Sequence, residues 1–173
     1  MENMINFGID LGTTNSAIAK FIKGEVSLYN NPTDYGRNTL PSVVGFKKDK
    51  IFVGSKAKEL LEKDPKSVVG TKKKKMGTSE SFKIKSINES KTPIELSAIV
   101  LKELKTFLPP SENIDAIVVT IPASFDMVQS NATKEAGYKS QVKSVKYLEF
   151  KVYYDDINFK YGRIENYDEC GRI

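Results

Sequence analysis

The run Ile114 to Ile121, IDAIVVTI, constrains the fold more than any other stretch of the chain. It is almost continuously apolar, which is how a strand buried on both faces of a sheet reads. Pro122-Ala123-Ser124-Phe125 ends it. A helix is expected from about Asp126 to Ala136, with Gly137 at the position where a helix-ending glycine belongs. A second helix is announced upstream. Thr92 is a cap, Pro93 suits the first helical position and Glu95 completes a capping box. Ile94, Ala98, Leu101, Leu104 and Leu108 then recur at spacings of three and four, a wide stripe for burial, before Pro109-Pro110. Strand and helix signals thus both occur along the chain, in the order helix, strand, helix.

The first thirty residues read as an antiparallel meander. Ile5, Phe7 and Ile9 alternate up to Asp10, Ser16 to Ile22 alternates again, and Glu25 to Asn30 follows the turn at Gly24. The tip of the first hairpin is Asp10-Leu11-Gly12-Thr13-Thr14-Asn15. Glycine allows close approach to the backbone, and successive amide N–H groups in such a turn form a concave nest for phosphate oxygens. Thr13 and Thr14 add side-chain donors. Asp10 repels a phosphate, but one carboxylate suits the waters of a magnesium ion. Residue types alone leave this tip open between a phosphate nest and a plain polar turn.

From Asn31 to Pro41 the chain is a loop rich in turn formers. A strand at Val43 to Lys47, a turn, a returning strand at Ile51 to Val53 and a helix from Ser55, its cap, to about Lys63 come next. Asp64-Pro65 stops that helix. Four adjacent lysines, Lys72 to Lys75, precede Met76-Gly77, and Ser81 to Ile87 alternates like a strand.

Composition removes several function classes. The chain has no histidine, which excludes serine–histidine triads and histidine-ligated metals. Its one cysteine, Cys170, excludes an internal disulfide and fits a reducing compartment. Met1-Glu2-Asn3-Met4 lacks the basic and apolar regions of a signal peptide, so a cytoplasmic location is expected. No run of about 18 apolar residues occurs, so no membrane partner is expected. The net charge of +5 comes from lysines spread along the chain, a solvated surface rather than a nucleic-acid footprint.

GIDLGTTNS, Gly8 to Ser16, closely resembles the first phosphate loop of the heat-shock protein 70 (DnaK-type) chaperones. Asp-x-Gly-Thr-Thr more loosely resembles that of the whole actin-like ATPase superfamily. Thr39-Leu40-Pro41-Ser42-Val43-Val44 resembles the family's segment leading into a smaller subdomain. The lysine run resembles a segment in which Lys73 takes the place of a lysine that reaches the terminal phosphate, with Gly77 closing. Lys72 and Lys74 are one residue away on either side. Pro122-Ala123-Ser124-Phe125 and Ala132-Thr133-Lys134-Glu135-Ala136-Gly137 resemble the motif and helix whose proline relays the nucleotide state. One position departs: Ser130 stands where the family has an arginine partnering that relay.

The resemblance implies a ribonuclease-H-like mixed sheet flanked by helices, with a small α+β subdomain inserted over about 41–88. It implies ATP and Mg2+ as cofactors. Asp10 would hold the metal through water, Gly12, Thr13, Thr14 and Asn15 would cradle phosphate, Lys73 would be the catalytic cation and Pro122 the relay. ATP and ADP are the implied ligands; unfolded polypeptides and co-chaperones are implied partners of a full-length member, whose ATP hydrolysis is coupled to protein folding. Two other readings stay open: a non-catalytic binding or scaffold protein keeping this fold, and another enzyme of the superfamily such as a sugar kinase.

The matches run from about Ile5 to Gly137. Residues 1–140 therefore read as the first lobe of a nucleotide-binding domain, and the family's further strand, second phosphate loop and second lobe are not recognised beyond it. From Val142 onward there is no alanine, proline or threonine, and five of the eight tyrosines occur. Residues 141–173 read as an unrelated tail. Val145 to Tyr154 and Ile157 to Ile164 form a candidate hairpin around Asp155-Asp156. Frameshift, fusion and genuine replacement all account for such a tail. A chain ending there is expected to be inactive alone.

Overall fold

The computed structural model describes residues 6–150. The main sheet is mixed and six-stranded, with strands β1 (Phe7–Asp10), β2 (Asn15–Ile22), β3 (Glu25–Leu28), β4 (Leu40–Pro41), β10 (Ala116–Pro122) and β11 (Ser144–Phe150). Its order is β11-β10-β1-β2-β3, with the short β4 also pairing β2. β1, β2 and β3 are antiparallel, whereas β10 lies parallel to both β1 and β11. An insertion lies between β4 and the helix α2 (Pro93–Lys105). It contains a three-stranded sheet of β5 (Val43–Lys47), β6 (Lys50–Val53) and β7 (Val68–Gly70), the helix α1 (Ser55–Lys63), and a hairpin of β8 (Phe82–Ile84) and β9 (Glu89–Lys91). The α/β architecture and the inserted subdomain are those expected.

Helices α2 and α3 (Met127–Lys139) pack together and against one face of the main sheet. Ile9, Ile18, Ile117, Val119 and Val145 from the strands meet Leu96, Val100, Leu101, Leu104 and Ala136 from the helices in one core. The expected stripe of α2 is wider than its spacing showed, because Leu96 and Val100 are also fully buried. The Thr92 capping box forms, with Glu95 accepting the Thr92 N–H at 2.8 Å and Glu95 N–H donating back to Thr92 Oγ1 at 3.2 Å.

Four expectations change. Along β10, Ile117, Val119 and Ile121 are buried while the residues between them are only partly covered, so one face is packed and the other half open. The apolar run reflects strand interior rather than two covered faces. Ser55 does not cap α1; Gly54 does, at φ +69°, and Ser55 Oγ instead donates to Asp34 Oδ2 at 2.8 Å. Ser81 to Ile87 is not one strand, because Asn88 at φ +55° helps turn it into the β8–β9 hairpin. Gly137 lies inside α3, which runs on to Lys139. A Cβ there would sit 2.6 Å from Val145 Cγ2, so this glycine lets β11 approach the helix.

That approach bears on the boundary drawn after Ser140. Ser144–Phe150 pairs with β10 over seven residues, from Ala116↔Ser144 to Pro122↔Phe150, and Val145 is a core residue. The first part of the segment read as a tail is thus a sheet strand: the alternation expected from Val145 is there, but it serves a strand beside β10. Ile5, Asp155-Asp156, the second arm of the proposed hairpin and Cys170 lie outside the described residues.

Candidate functional site

The site is built where β1 and β10 end side by side. Their parallel register pairs Asp10 with Thr120, and Thr120 Oγ1 donates to Asp10 Oδ1 at 2.8 Å. Beyond Asp10 the chain turns back on itself. Leu11 is buried and anchors the turn, while Thr13, Thr14 and Asn15 are exposed. At Gly12 an added Cβ would lie 2.0 Å from the Asn15 carbonyl oxygen, a clash with main chain. Only glycine fits this fold of the loop.

Ser42 connects the loop to the insertion. Its N–H donates to Thr14 O at 2.8 Å, and its hydroxyl lies 2.8 Å from the Ser16 hydroxyl in a buried pair. Its carbonyl accepts from Thr71 N–H at 2.9 Å and from Thr71 Oγ1 at 3.3 Å. Two residues later comes Lys73, at the start of a one-turn 3-10 helix, Lys73–Lys75. That turn is pinned by Met76, which is 1% exposed and whose sulfur lies 3.6 Å from Ser97 Oγ on α2. Gly77, at φ +77°, allows the chain to press on Val128 at the start of α3.

The four lysines separate clearly. Lys72, Lys74 and Lys75 are exposed, Lys75 pairing with Glu80 at 2.6 Å. Lys73 alone is buried, at 8% exposure. Its Nζ lies 5.8 Å from the centre of the Phe125 ring and donates to Thr120 O at 3.5 Å. Burial holds this amine below its ordinary value, and the field of Asp10 partly opposes that shift. The Phe125 N–H donates to Pro122 O at 3.0 Å, closing the turn that brings the ring to the lysine.

Asp10, Lys73, Thr120, Ile121, Pro122 and Ala123 line one cavity of about 520 Å³. The fold therefore brings together Asp10, Lys73 and Pro122 from three distant stretches of sequence. Gly12 to Asn15 continue directly from Asp10 but are not among the lining residues. Ser42, Thr71, Thr120 and Phe125 were not picked out as site residues from sequence. Ser42 and Phe125 lie inside motifs that were quoted; Thr71 and Thr120 carried no local signal. A second cavity, about 380 Å³ between the β5–β6 turn and the β8–β9 hairpin, contains none of these groups. Ser130, where the relay arginine was expected, is buried and donates its hydroxyl to Asp126 O at 2.8 Å, within its own helix.

The donor set suits a hydrated hard cation beside a phosphate. Asp10 is exposed and offers one carboxylate, and among the described residues no cluster of three acidic, cysteine or histidine side chains exists to strip a metal of its water. Lys73 brings an amine to the same cavity. Among the described residues, no helix is long and apolar enough to cross a membrane.

Comparison with known proteins places this geometry in context. A family model described as Hsp70 protein matches residues 6–145. Chaperone protein DnaK of Mycoplasma mobile is 42% identical over 132 residues, covering 75% of this chain and 21% of the relative. Chaperone protein DnaK of Mycoplasmopsis synoviae is 37% identical over 139 residues, and that of Ureaplasma urealyticum 40% over 139, each covering 79% of this chain and 22% of the relative. The chain thus spans about a fifth of the length of the curated relatives it matches. With the family match running from the start of β1 into β11, the chain belongs to the Hsp70 family.

Proposed function

We propose that this lobe is one jaw of an ATP clamp, holding nucleotide phosphates with Mg2+ and contributing to ATP hydrolysis coupled to protein folding in a full-length protein. The observation that supports it most is the meeting of Asp10, Lys73 and Pro122 around one cavity, although 63 and 49 residues separate them along the chain (73 − 10 and 122 − 73). Asp10 would orient water of a magnesium ion held there. The amides of Gly12 to Asn15 and the hydroxyls of Thr13 and Thr14 receive phosphate oxygens. Lys73 sits as a preformed point charge beside the transferred phosphoryl group, where charge is stabilised without reorganisation at the moment of reaction. A magnesium ion would be held through its waters by Asp10 and would supply positive charge to neutralise the phosphates.

Pro122 ends the central strand at this cavity and takes the relay role. Ser130 bonds within α3, so the coupling by which an arginine there would reach a partner is expected to be weak in this chain. ATP and ADP are the ligands; unfolded polypeptides and co-chaperones are partners of the full-length form, in a cytoplasmic setting.

These 173 residues, which span about a fifth of the length of their curated relatives, are expected when tested by themselves to bind nucleotide weakly and not to turn it over. Isothermal titration of the chain with Mg-ATP is expected to give a Kd weaker than about 100 μM, a binding free energy short of about −5.5 kcal/mol. Amide shifts on titration should concentrate at Gly12 to Asn15. Micromolar affinity, or steady hydrolysis abolished by Lys73→Ala, overturns the half-clamp reading. Shifts that avoid the loop overturn the phosphate reading.

A further inference from the structure

Lys73 differs from every other lysine of its run in ways that bear on reactivity as well as charge. It is buried, it opens onto a cavity large enough for a small organic molecule, and among the described residues it is in no ion pair. Among the described residues its nitrogen has the long bond to Thr120 O and the face of Phe125. Asp10 acts on it through its field rather than by contact. A lysine held in partly apolar surroundings without a counter-ion spends more of its time neutral, and the neutral amine is the nucleophile.

We propose that Lys73 is a reactive amine that forms an imine with small aldehydes entering the cavity, best with those that carry a phosphate group. The aldehyde preference rests on the amine's own surroundings; the phosphate preference rests on the phosphate-loop reading given above. In the reaction the Nζ lone pair adds to the carbonyl carbon, and the carbonyl oxygen takes up a proton to give a carbinolamine. Loss of the hydroxyl as water and of a proton from nitrogen leaves the C=N bond. The balance is amine plus aldehyde to imine plus water, with protons exchanged with solvent and no oxidant or reductant consumed. Burial beside Ile121, Pro122 and Ala123 keeps the amine from being fully hydrated, whereas Lys72 and Lys74 stay exposed.

The test uses the whole chain with pyridoxal 5′-phosphate as the phosphorylated aldehyde and pyridoxal as its unphosphorylated counterpart. Borohydride traps each imine as a secondary amine, and peptide mass mapping locates it. Burial beside an open cavity favours the neutral amine, so labelling of Lys73 at pH 7 is expected to exceed that of Lys72 and of Lys74, and to level off among the three in urea. Preference for Lys73 with both aldehydes, larger with the phosphorylated one, supports both parts. Equal preference with the two aldehydes supports the reactive amine and overturns the phosphate preference. Even labelling across the lysines with both aldehydes overturns the proposal, and Mg-ATP titration then still tests the phosphate loop separately.

Discussion

Replacing Lys73 by methionine separates what the buried amine costs from what it does. The two side chains are similar in length, and the site is lined in part by Ile121, Pro122 and Ala123, so a thioether is expected to fit. A buried charge stripped of its partner costs about 3–5 kcal/mol. The Phe125 ring offsets about 0.5–2 kcal/mol of that, and the open cavity and the bond to Thr120 O offset part of the rest. Lys73→Met should therefore stabilise the chain by about 1 kcal/mol at pH 7. With a urea m-value near 2 kcal/mol/M the midpoint should rise by about 0.5 M. The pH dependence carries a sign of its own. The native amine is held below its unfolded value, so the unfolded state binds more protons between the two values. Stability of the unsubstituted chain then rises with pH through that window, and the advantage of Lys73→Met narrows at pH 10. The assay is equilibrium urea unfolding of both chains at pH 7 and pH 10, in buffer free of phosphate, so that no anion pairs with the lysine. A variant less stable by more than about 0.5 kcal/mol at pH 7, or a difference identical at the two pH values, refutes the claim that this lysine is buried at a cost.

Two further substitutions test the elements that hold the site. Gly12→Ala puts a Cβ against the Asn15 carbonyl oxygen, and relieving a 2.0 Å contact with main chain requires the loop to move. A loss of about 1–3 kcal/mol in urea unfolding, with amide shifts confined to residues near 10–16, is expected; a chain stable within 0.5 kcal/mol rules out the described loop. Thr92→Ala removes the side-chain half of the capping box at the start of α2, leaving the main-chain N–H of residue 92 on Glu95, and should cost about 1 kcal/mol, read as a lower thermal midpoint; no change means that α2 does not depend on its cap side chain.

Much of the fold was legible because its signals are local. Alternation gave β1 to β3, and turn formers marked the hairpins between them. Thr92, Pro93 and Glu95 announced α2 through groups three residues apart, and the box forms as the spacing implies. The elements and their order were legible from such signals, and the way they assemble came from the resemblance. What was missed depends on contacts between distant stretches. Gly137 reads as a helix end in any list of local rules, but its actual constraint is Val145 lying across it. β11 was assigned to a tail because its composition departs from the preceding chain, yet alternation of Val145 and Tyr147 is all that a strand beside β10 requires. The same division holds at the site. Asp10, Gly12 and Lys73 stand in recognisable strings. Ser42 works through its main-chain N–H and C=O as well as its hydroxyl, and every residue type shares those main-chain groups. Thr120 is the partner of Asp10 only through strand register.

The pairing of β1 with β10 has a consequence for how the chain is assembled. The bond between Thr120 and Asp10 joins residues 110 apart, while β1 and β2 pair across a short turn. Closing the longer loop costs about 2 kcal/mol more in chain entropy than closing the hairpin, because the cost grows with the logarithm of length. The insertion reduces that burden, since its strands pair among themselves and draw the intervening chain together. The cavity floor is thus the part of the sheet that rests on the most distant contacts. Damage anywhere in the insertion should reach it as a higher entropy of closure, even with every residue lining the cavity intact.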